Sequence, residues 1–213
     1  MGVGLHMSFI EYFYVPHSAY AYLGSSKFLE IAKAAKRKIV HRPFNFEAVV
    51  AGSGSSPTRE RTNEHRNYFF GREIQRWSEY RNAPVLDGMP SHHWNDVTQA
   101  ACCIIAAQTL ASADQLSHIF LEAHWRDNGD LADQALLLEL VKSAGLNPED
   151  VMELANAPAT RLQYEENTEE AISRSVFGSP TYFVDGDMFY GQDRLEMIER
   201  ALIQPFRGKW PPN

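Results

Sequence analysis

Val176-Phe177-Gly178-Ser179-Pro180-Thr181-Tyr182-Phe183-Val184-Asp185-Gly186 runs from a tight Gly-Ser-Pro turn into a stretch of β-forming residues. Proline has no N–H, so in a sheet it belongs at the first position of a strand or on an edge. The turn before it is a candidate for a cis peptide bond. That arrangement leaves the N–H and C=O of Ser179 open to an extended ligand, although an ordinary strand start uses the same residues. Thr181 to Val184, Asp185-Gly186 and Asp187 to Tyr190 predict a β-hairpin closed by the Asp-Gly pair that tight hairpin turns favour. Gly191-Gln192-Asp193 then leads into a helix from Arg194 to about Ile203.

The other end of the chain supplies the partner unit. Ser8-Phe9-Ile10-Glu11-Tyr12-Phe13-Tyr14 reads as a buried strand. Val15-Pro16-His17-Ser18 turns the chain, and Ala19 to about Lys36 carries apolar residues at helical spacing. Lys33, Lys36, Arg37 and Lys38 complement the dipole at that helix's C-terminal end. A second strand follows at Lys38 to Phe44. Two strands joined by one helix make a parallel βαβ unit.

Between these ends nearly every segment reads as helix. The segments are Arg61 to Arg81, Trp94 to Ala111, Ala113 to Arg126, Leu131 to Ala144, a helix opened by Asn147-Pro148, and Thr160 to Arg174. The loop Ala51 to Pro57 opens the helical block. A βαβ unit and a ββα unit complete one sheet. The expected fold is therefore α/β and thioredoxin-like, β-α-β … β-β-α with a large all-helical insertion. Residues 7–50 plus 175–213 would form the thioredoxin-like domain and 51–174 the insertion.

The 213 residues are 44% hydrophobic and 22% charged, with a formal net charge of −7. That acidic balance, without a basic stripe, argues against a nucleic-acid partner. No apolar run reaches membrane-spanning length, and Met1 to His6 has no signal-peptide pattern; Met7 is the expected native start. The two cysteines, Cys102 and Cys103, are adjacent, which disfavours a bridge between them. They lie in the apolar run Ala100 to Ala107 and read as core residues. The expected compartment is the cytoplasm.

Ser18 stands at a strand-to-helix turn. A helix N-terminus presents unpaired N–H groups and partial positive charge, which stabilise an anion such as a thiolate. Serine is equally suited to be a plain N-cap. His17 is a candidate base, against the tendency of successive side chains to point apart. Trp77, Trp94 and Tyr20 could line an aromatic pocket or simply pack. His92-His93 lacks a ligand pair at metal-binding spacing and is expected to face solvent.

The segment Gly178 to Gly186, followed by Phe189-Tyr190-Gly191-Gln192-Asp193-Arg194-Leu195, resembles the C-terminal signature of 2-hydroxychromene-2-carboxylate isomerases. These group with kappa-class glutathione transferases among DsbA-type thioredoxin-fold proteins. The opening strand and its Ser-x-Tyr-x-Tyr-Leu turn are similar as well. The resemblance implies a glutathione-dependent isomerase acting on a small aromatic keto acid, in a homodimer. It places Ser18 at the glutathione sulfur, with Ser179 and Pro180 beside its cysteinyl backbone. Asp193 and Arg194 fall near its γ-glutamyl end, where Asp193 also reads as an N-cap boxed with Glu196. Ser55 stands where the family has a loop asparagine. The family's loop lysine is absent, leaving Asn45, Arg59 or Arg61 as substitutes, and Ala19 replaces a proline. Ser18-Ala19-Tyr20-Ala21 fills the Cys-x-x-Cys position without a thiol, which excludes disulfide exchange. Conjugation of electrophiles to glutathione, or peptide binding by a redox-inactive module, are the alternative readings.

Overall fold

The computed structural model describes residues 9–54, 62–208, 210 and 211. Four strands, β1 (Phe9–Tyr14), β2 (Lys38–Pro43), β3 (Thr181–Val184) and β4 (Asp187–Tyr190), form one mixed sheet in the order β2-β1-β3-β4. β1 runs parallel to β2, across α1 (Ala19–Ala34), and antiparallel to β3; the Asp185-Gly186 hairpin joins β3 to β4. The expected thioredoxin-like arrangement is thus present, with a helical block lying between β2 and β3 in the chain.

Side chains alternate across the sheet, as a period of two requires. Ile10, Tyr12, Tyr14, Tyr182 and Val184 enter the main core with α1, α5 (Thr98–Thr109) and α6 (Ala113–Trp125). Phe13 and Phe183 enter a smaller cluster on the opposite face, with Phe44, Val49, Ala171 and Val176. Tyr12 stacks between Tyr14 and Tyr182, centroids 4.0 and 5.2 Å away, and Phe28 of α1 closes over Tyr12 and Tyr182. On the opposite face Arg174 lies 3.7 Å above the Phe183 ring and makes two hydrogen bonds of 2.9 Å to the Glu11 carboxylate. The bidentate pair fixes the end of α9 (Pro158–Ser173) against β1.

Several helix starts differ from the sequence expectation, and caps account for them. α5 begins at Thr98, whose N–H and hydroxyl both bond Asp96 Oδ1. α7 (Gln134–Ser143) begins after Asp133, which accepts from the Ala135 N–H. α8 (Pro148–Asn156) starts as its Asn-Pro signal predicts, and Pro158 opens α9 two residues early. A further helix, α2 (Phe46–Gly52), occupies part of the expected loop; Asn45 caps it by accepting from the Ala48 N–H. The long helix expected over Arg61 to Arg81 is α3 (Asn63–Arg66), a π-helical turn Asn67–Arg72 and α4 (Glu73–Arg81). Cys102 and Cys103 are buried and unbridged, and burial pushes the Cys103 thiol up to about 12.

Phe28→Ala removes the ring that closes over the tyrosine stack, and is expected to cost about 3–5 kcal/mol of stability in urea denaturation. A loss below about 1 kcal/mol would show that the stack does not depend on it.

Candidate active site

Two turns meet at the C-terminal end of β1 and the start of β3. Ser18 is the N-cap of α1: its Oγ accepts from the Ala21 N–H at 3.2 Å and donates to the Ser179 carbonyl at 3.3 Å. The Val15 N–H donates to Ser179 Oγ at 3.1 Å, so each serine holds the other's turn. The Ser179–Pro180 peptide is cis, as its turn suggested. The Trp125 indole N–H donates to the His17 carbonyl at 2.8 Å and anchors the turn before Ser18 from α6. Among the described residues no carbonyl accepts from the Ser179 N–H, nor from the first N–H groups of α1 at Ala19 and Tyr20.

These groups open onto a cleft of about 490 Å³. Ser18 and Ser179 line it with Tyr20, Trp77 and Trp94, so the three aromatic candidates do meet there. The π-helical turn supplies Tyr68, Phe69 and Phe70, and the Tyr20 hydroxyl ties to it by donating to the Phe69 carbonyl at 2.7 Å. A π-turn places one extra residue in a helix, and such insertions recur at functional sites.

Gln192 and Asp193 also line the cleft. Gln192 is 1% exposed; its Oε1 accepts from Arg81 Nε, while its Nε2 has no partner among the described residues. Arg81 also donates to the Gln192 carbonyl and to Glu196. Asp193 does not form the expected capping box. It sits inside a 3₁₀ turn, Gln192–Arg194, one residue too early to cap α10 (Leu195–Ile203), and Glu196 is engaged by Arg81 instead. Its carboxylate is therefore left at the cleft, where Gly191, at φ 98°, makes room: a Cβ on Gly191 would collide with Asp193 Oδ1. Arg194 pairs with Asp193 at 3.4 Å and does not line the cleft. Asn45 is occupied as a helix cap and does not line it either. Ser55, Arg59 and Arg61 lie outside the described residues.

The histidines depart most from expectation. His92 is exposed, as expected, and sits 3.5 Å from Asp130, but His93 is buried, 7% exposed, and does not face bulk solvent. Its Nδ1 meets His124 Nε2 at 3.1 Å, and His124 Nδ1 meets the Gly129 carbonyl at 2.9 Å. His17 packs edge-on against His93, centroids 4.8 Å apart, and both line the cleft beside Ser18. Burial, reinforced by the neighbouring imidazoles, lowers His17 to about 4 and His93 to about 3. Among the described residues no His, Cys, Asp and Glu cluster has the arrangement of a metal site. His93, His124, Gln192 and Arg81 were not legible as site residues, because they come from separate segments that only the fold brings together.

A four-stranded mixed sheet, with a helix N-terminus capped by Ser18 and a cis-proline turn meeting at one cleft, defines a thioredoxin-fold protein. Residues 10–203 match the DSBA-like thioredoxin domain, and the chain belongs to that family. It is 24% identical over 197 residues to a 2-hydroxychromene-2-carboxylate isomerase of Sphingobium xenophagum, covering 91% of this chain and 97% of that one. It is also 24% identical over 215 residues to glutathione S-transferase kappa 1 of Rattus norvegicus, covering 95% and 94%. A solved structure of 2-hydroxychromene-2-carboxylate isomerase superposes with a TM-score of 0.78 at 21% identity, over 92% of this chain and 95% of that one.

The depressed histidines predict acid sensitivity. Their pKa lies below the ordinary 6.5 in the folded state, so the unfolded chain binds more protons as pH falls below 6.5. Their full contribution is present above that value and is lost towards about 4 for His17 and about 3 for His93. Between pH 6.5 and 5, before most carboxylates titrate, each fully shifted histidine lowers stability with a limiting slope of about 1.4 kcal/mol per pH unit. Denaturation at a series of pH values measures this; a flat profile across that interval would contradict it.

Proposed function

We propose that the protein is a glutathione-dependent isomerase of a conjugated aromatic keto acid of the 2-hydroxychromene-2-carboxylate type. The observation that carries this reading is Ser18 Oγ, held at the N-terminus of α1 and directed at Ser179 across the mouth of an aromatic cleft. The site's open groups fit the tripeptide. The Ser179 backbone N–H is open to a cysteinyl carbonyl. Asp193 suits the γ-glutamyl ammonium, and the unpartnered Gln192 Nε2 is a donor for the adjoining carboxylate.

Bound glutathione would supply a thiolate, a nucleophile suited to reversible addition to a conjugated double bond. The chain's part is electrostatic. Ser18 would hold the sulfur by turning its hydroxyl from the Ser179 carbonyl, and the Ala19 and Tyr20 N–H groups would add the positive end of α1. Both favour the thiolate over the thiol. Tyr20, Phe70, Trp77 and Trp94 receive the flat ring and reduce its exposure to water. The cytoplasm and a homodimer are part of the same proposal. Among the described residues no helix is long and apolar enough to cross a membrane.

Conjugation to electrophiles is the second reading, favoured by the equal identity to a kappa-class transferase. The two separate on stoichiometry, since isomerisation consumes no glutathione. With 2-hydroxychromene-2-carboxylate as substrate, turnover is expected to require glutathione and leave its concentration unchanged. Ser18→Ala should lower kcat at least about tenfold, the loss of one hydrogen bond to a charged group, and leave glutathione affinity within about threefold, roughly the cost of a weak contact. Unchanged turnover at saturating glutathione would remove Ser18 from the mechanism. Gly191→Ala is expected to weaken glutathione binding in calorimetry, because the added methyl displaces the Asp193 carboxylate; wild-type affinity would show that Asp193 does not hold the tripeptide.

A further inference from the structure

Beside Ser18, the polarity of His124 and His93 is determined by their hydrogen-bond partners. The Gly129 carbonyl only accepts, so His124 Nδ1 carries the hydrogen of their 2.9 Å bond. Burial lowers the His124 pKa and keeps the ring neutral, which leaves its Nε2 an acceptor. The 3.1 Å contact then requires His93 Nδ1 to donate. A neutral imidazole has one N–H, so His93 Nε2 is left with a lone pair and no partner among the described residues. The ring is lowered to about 3 by burial and by His17 and His124, and does not become a donor near neutral pH.

The surroundings of that lone pair are aromatic. Trp94 and Trp125 meet His93 edge-on at 4.9 and 5.4 Å. His17, at 4.8 Å, is likewise held neutral, and its Nδ1 is buried without a partner. An acceptor left unmatched in an aromatic wall is open to a ligand or water that can satisfy it. Here it lines the same cleft as Ser18, Trp77 and Trp94, a shape suited to a flat ring carrying one O–H donor.

We propose that His93 Nε2 accepts a hydrogen bond from a hydroxyl on the aromatic substrate, and so selects hydroxylated aromatic acids over their unsubstituted counterparts. This rests on the preceding reading in taking the substrate to be an aromatic acid. The ring-opened form of 2-hydroxychromene-2-carboxylate carries such a hydroxyl on its aromatic ring, as a phenol. His124 acts one step away as a positioning residue, fixing which His93 nitrogen faces the ligand.

The test compares trans-2-hydroxycinnamate with trans-cinnamate by calorimetry, on wild-type protein and on His93→Asn. The asparagine amide can still donate to His124 but offers no acceptor at the Nε2 position. Wild-type protein is expected to bind the hydroxylated acid about tenfold more tightly, the effect of one matched acceptor. The variant should level that preference to about twofold or less, the remainder set by packing alone. Imidazole ¹⁵N spectra should show His93 and His124 as Nδ1–H tautomers, with the His93 Nε2 resonance moving when 2-hydroxycinnamate binds. Equal affinities in the wild type, a preference that survives in His93→Asn, or an Nε2–H tautomer at His93 would overturn the proposal. Glutathione is titrated separately. Failure to bind it would remove the isomerase reading while leaving the comparison of the two cinnamates intact.

Discussion

Two hydrogen bonds between Ser18, Ser179 and Val15 join the turn that ends β1 to the turn that begins β3. Both turns sit at the same end of adjacent antiparallel strands, so the sheet register, Phe13 opposite Thr181, determines whether they can meet. That register is held by side chains that alternate between two cores, with the tyrosine stack on one face and the Arg174–Glu11 pair on the other. A slip of one residue would send Tyr12 and Phe13 to the wrong faces. The position of the Ser18 hydroxyl thus depends on packing well away from it.

The layout of the sheet was legible because it rests on local signals. Proline before Thr181, Asp-Gly between two β-forming runs, and one helix between Tyr14 and Lys38 each have a single economical reading. Helix α2 was less legible, since Phe46 to Gly52 is short and ends among glycines and serines that read as loop. The capping role assigned to Asp193 failed for a specific reason. The chain makes a 3₁₀ turn before α10, and Arg81, 111 residues from Gln192, takes the glutamate that would complete the box.

The site was half legible. Ser18, Ser179 and Asp193 carry recognisable spacing and do share one cleft. The histidine group carries none. His17 comes from the turn before α1, His93 from the segment before α5 and His124 from α6, and adjacent His92 differs from His93 only in which way it faces. Composition and periodicity treat such residues as solvent-facing, whereas burial converts them into fixed, neutral hydrogen-bonding groups. The cleft therefore brings together two chemically distinct sets of groups beside Ser18: donors at a helix N-terminus, and imidazoles in an aromatic wall.

The central claim is that Ser18 serves a bound sulfur. A crystal structure of the protein with glutathione tests it most directly. The account predicts the sulfur within hydrogen-bonding distance of Ser18 Oγ, the cysteinyl backbone paired with Ser179, and the γ-glutamyl group beside Gln192 and Asp193. A tripeptide whose sulfur lies elsewhere, with Ser18 Oγ still donating to the Ser179 carbonyl, would contradict it.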